Sequence, residues 1–317
     1  MERTSGKFFY FFAPVLLFAI AQDVLQSALR AAAGSGILTE SVRIWAQAEP
    51  ESAAALYTGV AMTVSVLFVW HAARRQIAAR EGRPETQYAA VHGAEDRETR
   101  IRLQALWTQS GGDASKRRTA RFVIMLLTAL CLALAVNLGI SLLSEAVQGA
   151  LGMTEQTLAG ETARNLGAAV SGELAARSLA RGTLQGGGTL FLILGILVYG
   201  VISPVAEEAV FRGLLFERLR EAMTLRGAAL CSALVFGVYH GNAAQACYGA
   251  VMGVMFAYCY AESGRIAVPV LLHGAVNLAV FLLSYTGGYG ALVQPAWAVT
   301  FLCLAGIGAV CLRRGTR

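Results

Sequence analysis

Apolar runs about as long as a bilayer is thick recur along this chain of 317 residues, and they limit what it can fold into. A helix needs roughly 20 apolar residues to cross the hydrocarbon core of a membrane. Lipid gives backbone N–H and C=O groups no hydrogen-bond partner, so each crossing segment must satisfy its own backbone, as an α-helix does. Eight spanning helices are predicted, at 8–30, 53–72, 122–144, 189–215, 228–242, 244–261, 266–285 and 292–312.

The overall composition agrees with this all-α, polytopic transmembrane bundle. Apolar residues make up 56% of the chain and charged residues 15%, with a mean hydropathy of +0.55, which is outside the usual range of soluble proteins. The net charge of +6 does not indicate nucleic-acid binding, because the basic residues lie between apolar runs and are not clustered with aromatic residues. The six cysteines all fall inside apolar runs without a C-x-x-C pattern, which favours inert, buried thiols.

Loop charge predicts the orientation in the membrane. Residues 73–121 carry eleven Lys and Arg against six Asp and Glu, whereas residues 31–52 and 145–188 are net negative. Basic loops stay on the cytoplasmic side. We therefore expect a multi-pass protein of the bacterial-type inner (plasma) membrane with both termini in the cytoplasm. Ala19–Ala21 resembles a signal-peptide cleavage site, but apolar character continues to Leu29 and favours a retained first helix.

Three regions are predicted along the chain. Residues 1–184 form an N-terminal membrane region of about three spans, 185–285 form a core, and 286–317 hold the last span and a basic tail. Within the first region, loop 73–121 is predicted to be a partly helical cytoplasmic hairpin in contact with anionic lipid. The external loop 145–188 is predicted to contain a short amphipathic helix.

Polar residues stand out in the core, between Val205 and Asn277. A charge at membrane depth costs roughly 2.5–3.5 kcal/mol on insertion scales and is rare unless paired or functional. This concentration indicates an active site more than helix packing. The polar residues are Glu207, Glu208, Arg212, His240, His273 and Asn277, and the apolar Phe236 stands four residues before His240.

Helical spacing predicts which of these side chains meet. Glu208 and Arg212 are four residues apart with the acid first, the favourable order for an ion pair. Glu207 points about 100° away from Glu208 on an α-helix. We therefore expect Glu208 and Arg212 to form a structural pair and Glu207 to serve the site.

The other two pairs, Phe236 with His240 and His273 with Asn277, each share a helix face. The predicted depths of the three helices place these groups in the cytoplasmic half of the bilayer. Small residues scattered through this half would let helices approach closely. They are Gly227, Gly237, Gly241, Gly249, Gly253 and Gly274.

These three motifs carry a family resemblance. Glu207-Glu208-x-x-x-Arg212, Phe236-x-x-x-His240 and His273-x-x-x-Asn277 resemble the motifs of the CAAX protease and bacteriocin-processing (CPBP, Abi) family of intramembrane proteases over residues 185–285. The resemblance implies hydrolysis of a peptide bond within or beside the membrane, in eukaryotic members next to a prenylated C-terminal tail.

The resemblance also implies roles for single residues. Glu207 would activate water as a general base, with His240 sharing the proton or orienting the water. His273 and Asn277 would donate hydrogen bonds to the oxyanion. Glu208, Arg212 and Phe236 would support the site.

Several alternatives stay open on the sequence alone. Glu207, His240 and His273 also suit a catalytic zinc site, but no cofactor is favoured, because Asn277 suits an oxyanion hole and is an unusual zinc ligand. A non-catalytic immunity or scaffold protein and a proton-coupled transporter are the other classes. Expected partners are membrane lipids and a peptide or protein tail, which includes a bacteriocin precursor or a sorting tail, and not nucleic acid.

Overall fold

The described residues of the computed structural model, 2–35, 37–81, 107, 112–150, 188–241 and 243–314, form helices and no strand. The all-α prediction is confirmed. The helices are α1 (Glu2–Ser35), α2 (Glu40–Ala48), α3 (Pro50–Glu81), α4 (Gly112–Ala150), α5 (Thr189–Leu219), α6 (Leu225–Tyr239), α7 (Ala243–Ser263), α8 (Ala267–Tyr285), α9 (Gly288–Leu292) and α10 (Pro295–Arg314).

Six helices in the described part of the chain are long and apolar enough to cross a membrane, so the predicted count of eight is approximate. The other two predicted spans became α6 and α7, and α6 has only 15 residues. The six stretches are Phe9–Ser35, Pro50–Arg74, Gly112–Val147, Thr189–Leu219, Ala267–Tyr285 and Pro295–Arg313.

Two helix ends differ from the predictions at residues that determine where a helix ends or begins. Helix α6 ends at Tyr239 rather than 242, because Gly241 adopts φ 73° and the backbone N–H of His240 donates to the Gly237 carbonyl at 3.1 Å. Helix α10 begins at Pro295, since proline suits the first turn. Most of the loop predictions, at 82–106 and 151–187, lie outside the described residues.

The chain divides into two compact units. The first comprises residues 1–101, 187–232 and 265–274, and the second comprises 102–186, 233–264 and 275–317. The predicted core at 185–285 contributes to both. Helices α6 and α8 each supply residues to both units.

In the first unit, α3 packs closely on α5. A Cβ atom at Gly59 would lie 2.8 Å from Cγ2 of Val198, so glycine permits this approach. The Ser203 hydroxyl lies 2.9 Å from the Met62 sulfur in the same contact. The short α2 begins after the capping residue Thr39, whose hydroxyl accepts from the Val42 N–H.

In the second unit, small residues bring α6 and α7 together, as predicted. A Cβ atom at Gly237 would overlap the Ala246 carbonyl oxygen, and one at Gly253 would lie 3.0 Å from Ala233. Close packing at small residues is what holds helices together in lipid, because no hydrophobic effect drives one helix against another there.

The second unit also contains a buried ion pair. Arg121 in α4 contacts both carboxylate oxygens of Glu262 in α7, one of them from Nη2 at 2.9 Å. Both residues are 8% exposed. The Trp107 indole N–H lies 3.5 Å from the same carboxylate. A two-pronged pair of this kind fixes the orientation of both side chains.

Removing one partner of this pair leaves a buried charge unpaired, so we expect Glu262→Gln to lower stability by roughly 3–5 kcal/mol. Thermal unfolding of the purified protein in detergent measures the change. Glu40→Gln is the matched control, because Glu40 pairs with Arg43 at an exposed position and exposed pairs contribute little. Equal melting temperatures for Glu262→Gln and wild type would contradict the prediction.

Candidate active site

Helix α5, which carries the two adjacent glutamates, is not a uniform α-helix. It contains π-helical segments at Val198–Ile202 and Ala209–Phe216, on either side of the α-helical Ser203–Glu208. π-Helical turns are rare and often occur at functional sites. Glu207 and Glu208 therefore occupy a short regular stretch between two irregular ones.

Glu208 and Arg212 form the ion contact expected from their spacing. Nη1 of Arg212 lies 3.1 Å from Oε1 of Glu208, and both side chains are 0% exposed. In a low-dielectric interior the attraction between opposite charges is strong, and an unpaired charge is costly. Each of these two charges therefore requires the other.

His273 lies between the two glutamates. Its Nδ1 is 2.9 Å from Oε1 of Glu208, and its Nε2 is 3.6 Å from Oε2 of Glu207. His273 is 5% exposed and Glu207 is 6% exposed. Glu208 therefore contacts His273 as well as Arg212, and both glutamates face the same imidazole ring.

The two contacts of His273 differ in kind. The 2.9 Å distance to Glu208 is a hydrogen bond, in which Nδ1–H donates to the carboxylate. The 3.6 Å distance to Glu207 is too long for a direct hydrogen bond. An oxygen atom of a water molecule or a substrate could contact both Glu207 and Nε2 across such a gap.

Gly274 explains how His273 reaches the glutamates. A Cβ atom at this position would overlap the carbonyl oxygen of Gly200, in the first π-helical segment of α5, and would lie 3.8 Å from Cγ of Pro204. A side chain here would push α8 away from α5. The sequence pointed to Gly274 as a close-approach residue, but Gly200 was missed, because nothing in the sequence links it to α8.

His240 and Phe236 belong to the second unit. Nδ1 of His240 lies 2.8 Å from the Phe236 carbonyl oxygen, so Nδ1–H donates to it and the neutral ring carries no proton on Nε2. The two rings meet edge to face, with centroids 4.9 Å apart. A Cβ atom at Gly249 would lie 3.4 Å from Nδ1 of His240. These contacts give His240 one tautomer and one orientation.

Asn277 follows His273 by one turn of α8 and is half-buried, and it belongs to the second unit. The structure thus brings together, within the first unit, four of the seven residues singled out in the sequence. They are Glu207, Glu208, Arg212 and His273.

Metal binding can be tested against the donor atoms. Within the described part of either unit, no group of three or more His, Cys, Asp and Glu side chains is arranged to hold a metal ion. The predicted zinc ligands each carry an atom that can bind zinc, but His240 belongs to the second unit whereas Glu207 and His273 belong to the first. Nδ1 of His240 and of His273 is engaged, which would leave Nε2 to the metal, a common arrangement around zinc ligands. Glu207 would supply the carboxylate.

Comparison with known proteins finds a similarity to a family of CAAX prenyl endopeptidases in one part of this polytopic chain. Residues 189–279 match the family model of type II CAAX prenyl endopeptidase Rce1-like proteins. This segment contains all three motifs, so the part of the chain that carries them is similar to the Rce1-like family, as the sequence resemblance indicated.

A curated relative supports the same family. The protein named "Putative membrane peptidase YdiL" from Bacillus subtilis (strain 168) is 33% identical over 90 residues. The aligned stretch is 28% of this chain and 37% of the relative, so the match spans well under two thirds of the relative's length. No solved structure matches the chain.

The close approach of α8 to α5 predicts that Gly274→Ala destabilises the protein. The added Cβ meets backbone, which cannot rotate away as a side chain can, and overpacking of this kind costs about 1–3 kcal/mol. Thermal unfolding measures the effect. Gly139→Ala in α4 is the control, because a Cβ atom there meets nothing within 4 Å and alanine favours a helix over glycine. A melting temperature for Gly274→Ala at or above that of Gly139→Ala would contradict the contact.

Proposed function

We propose that this protein is an intramembrane endopeptidase that uses a glutamate-activated water molecule. One observation carries the proposal: an imidazole, His273, lies between two buried glutamates in the segment that matches a protease family. Buried ionisable groups at membrane depth are costly and usually functional. A helix-packing role requires neither two carboxylates beside one imidazole nor a guanidinium paired with one of those carboxylates.

Glu207 is the proposed general base. It is the glutamate whose carboxylate is not within hydrogen-bonding distance of His273, whereas Glu208 is occupied by both His273 and Arg212. A water oxygen beside Glu207 would lose a proton to the carboxylate and attack the peptide carbonyl carbon. The same carboxylic acid would then return the proton to the departing amine.

His273 is proposed to stabilise the oxyanion together with Asn277. Because Nδ1–H donates to Glu208, the ring can also donate from Nε2 when it is doubly protonated. In that state two carboxylates, one guanidinium and one imidazolium sum to zero charge, which lowers the cost of burying them. The Asn277 amide, one turn along α8, would supply a second donor.

His240 is proposed to orient the attacking water or to share its proton. The hydrogen bond from Nδ1 to Phe236 supports this role, because it leaves Nε2 as the acceptor in the neutral ring. Phe236 and Gly249 support the ring without touching the reaction.

Zinc is the alternative to this scheme. When bound, zinc would supply a Lewis acid and a water of lowered pKa, held by Glu207, His240 and His273. The glutamate scheme is preferred because it gives Asn277 a role. A non-catalytic scaffold of the same fold is the other candidate.

The proposed substrate is a membrane-associated or C-terminal peptide tail. The family name refers to CAAX prenyl endopeptidases, and the relative is named as a membrane peptidase. A prenylated tail and an unmodified apolar tail are both tested below. The proposed location is the inner (plasma) membrane with both termini cytoplasmic, which follows from the basic loop at 73–121.

We expect Glu207→Gln to abolish cleavage with little change in stability. The amide cannot take a proton from water, and loss of a general base lowers the rate by roughly 10²–10⁴-fold. The assay uses the full-length protein in liposomes with two peptide probes, one ending in a farnesylated CAAX sequence and one in an unmodified apolar tail. Mass spectrometry of the products identifies the scissile bond.

Glu217→Gln is the matched control, because Glu217 lies on the same helix, in the last α-helical turn of α5 beyond the glutamate site. It should cleave like wild type. Equal cleavage by Glu207→Gln and wild type would reject the catalytic assignment. If neither probe is cut although the protein is folded and lipid-embedded, the scaffold alternative is favoured.

Metal removal separates the two catalytic schemes. Stripping the enzyme with a strong chelator and assaying it in metal-free buffer should leave cleavage undiminished if Glu207 acts alone. Loss of activity on stripping, with recovery on addition of stoichiometric zinc, would overturn the metal-free scheme in favour of a His₂Glu zinc site.

A further inference from the structure

Helix α1 packs against the half of α5 that follows the two glutamates. The contacts reach the second π-helical segment, Ala209–Phe216, and the last turn, Glu217–Leu219. Phe18 of α1 is fully buried. Neither the family motifs nor the proposed mechanism assigns a role to α1.

One backbone group of α1 lacks its usual helical partner. Pro14 lies inside the helix and has no N–H, so the carbonyl of Tyr10, four residues earlier, cannot accept the regular helical hydrogen bond. An unpaired backbone carbonyl is costly where water is scarce. Arg218 fills this position, because its Nη1 donates to the Tyr10 carbonyl oxygen.

The side chain of Tyr10 strengthens the same contact. The Arg218 guanidinium lies over the Tyr10 ring, with Cζ 5.0 Å from the ring centroid. The Tyr10 hydroxyl donates to Glu221, whose carboxylate oxygens lie at 3.0 and 2.9 Å. Arg218 is only 3% exposed. Tyr10 is therefore attached to the end of α5 through its backbone, its ring and its hydroxyl.

The attached segment has an irregular conformation that requires support. Residues Ala209–Phe216 are π-helical, and π-helices are rare and short compared with α-helices. The segment begins directly after Glu208 and contains Arg212. Relaxation to a regular α-helix would turn Arg212 about the helix axis relative to α8, whose His273 is bonded to the same Glu208 carboxylate that Arg212 pairs with.

We propose that Arg218 is a positioning residue for the candidate active site. It donates to the Tyr10 carbonyl, to which Pro14 cannot donate a helical hydrogen bond, and it attaches α1 to α5. In this way it keeps residues 209–216 in the form in which Arg212 holds Glu208 beside His273. The effect of Arg218 on cleavage rests on the proposed function, whereas its effect on the conformation of residues 209–216 is independent of that function.

The first test measures amide hydrogen exchange of residues 209–216 in the full-length protein embedded in nanodiscs. Arg218→Gln should speed exchange in this segment roughly tenfold, the change that 1.4 kcal/mol produces. Arg218→Lys should restore part of the protection, because an ammonium can also donate to the carbonyl. The control is Arg226→Gln, since Arg226 is exposed and lies at the start of α6.

The second test separates positioning from simple satisfaction of the Tyr10 carbonyl. Pro14→Ala gives α1 an N–H that can bond Tyr10 within the helix. In the Pro14→Ala/Arg218→Gln double variant the melting temperature should recover relative to Arg218→Gln. Protection of 209–216 should stay low, because the link between the two helices is still missing. Recovery of both quantities would overturn the positioning role.

Cleavage of the peptide probe that the wild type cuts supplies the functional measurement. Arg218→Gln should lower kcat several-fold, roughly as expected for one lost charge-assisted hydrogen bond, with KM little changed, because Arg218 is only 3% exposed and is bound to Tyr10 of α1. Unchanged exchange at 209–216 in Arg218→Gln would overturn the proposal. If Arg218→Gln does not fold, Arg218→Lys and Pro14→Ala alone carry the exchange test. If Glu207→Gln cleaves like wild type, the proposed function fails, while the exchange measurements still decide the role of Arg218.

Discussion

The burial of charge around Glu208 is the constraint on which the site depends. Its carboxylate is 0% exposed and contacts Arg212 from its own helix and His273 from α8. Charges in an apolar interior are tolerated only when they are paired and hydrogen-bonded. The contact between Glu208 and His273 therefore requires α8 to lie close to α5. The absence of a side chain at Gly274, which packs against Gly200, permits this short distance.

The irregular helix α5 serves the same constraint. Two π-helical segments flank the glutamates, so the side chains before and after them do not follow regular α-helical angles. Irregular backbone in a membrane needs partners outside the helix. In the first unit these partners come from α8, through Gly274, and from α1, which packs on the second π-helical segment. The geometry of the short stretch that carries Glu207 and Glu208 is thus supported by elements distant in sequence.

Much of the fold could be predicted because the lipid environment permits few solutions. The positions of all eight predicted spans correspond to helices, and at α6 and α10 the helix ends moved where Gly241 and Pro295 changed the local backbone. The contact between Glu208 and Arg212 followed from a spacing of four residues. The hydrogen bond between Glu208 and His273 did not follow, because 65 residues separate them in the sequence. The angle of about 100° between neighbouring side chains on a helix also says nothing about how far a flexible carboxylate can reach.

The sequence by itself determined the class of fold, the helices and the residue types available for chemistry. Apolar length and helical periodicity are local properties, and lipid enforces them. Only the tertiary structure decided three contacts. His273 lies between both glutamates, Gly274 packs against the Gly200 carbonyl, and Arg218 donates to the Tyr10 carbonyl. Each of these contacts joins distant helices, whose approach is set by small residues and buried charges acting together rather than by any local pattern.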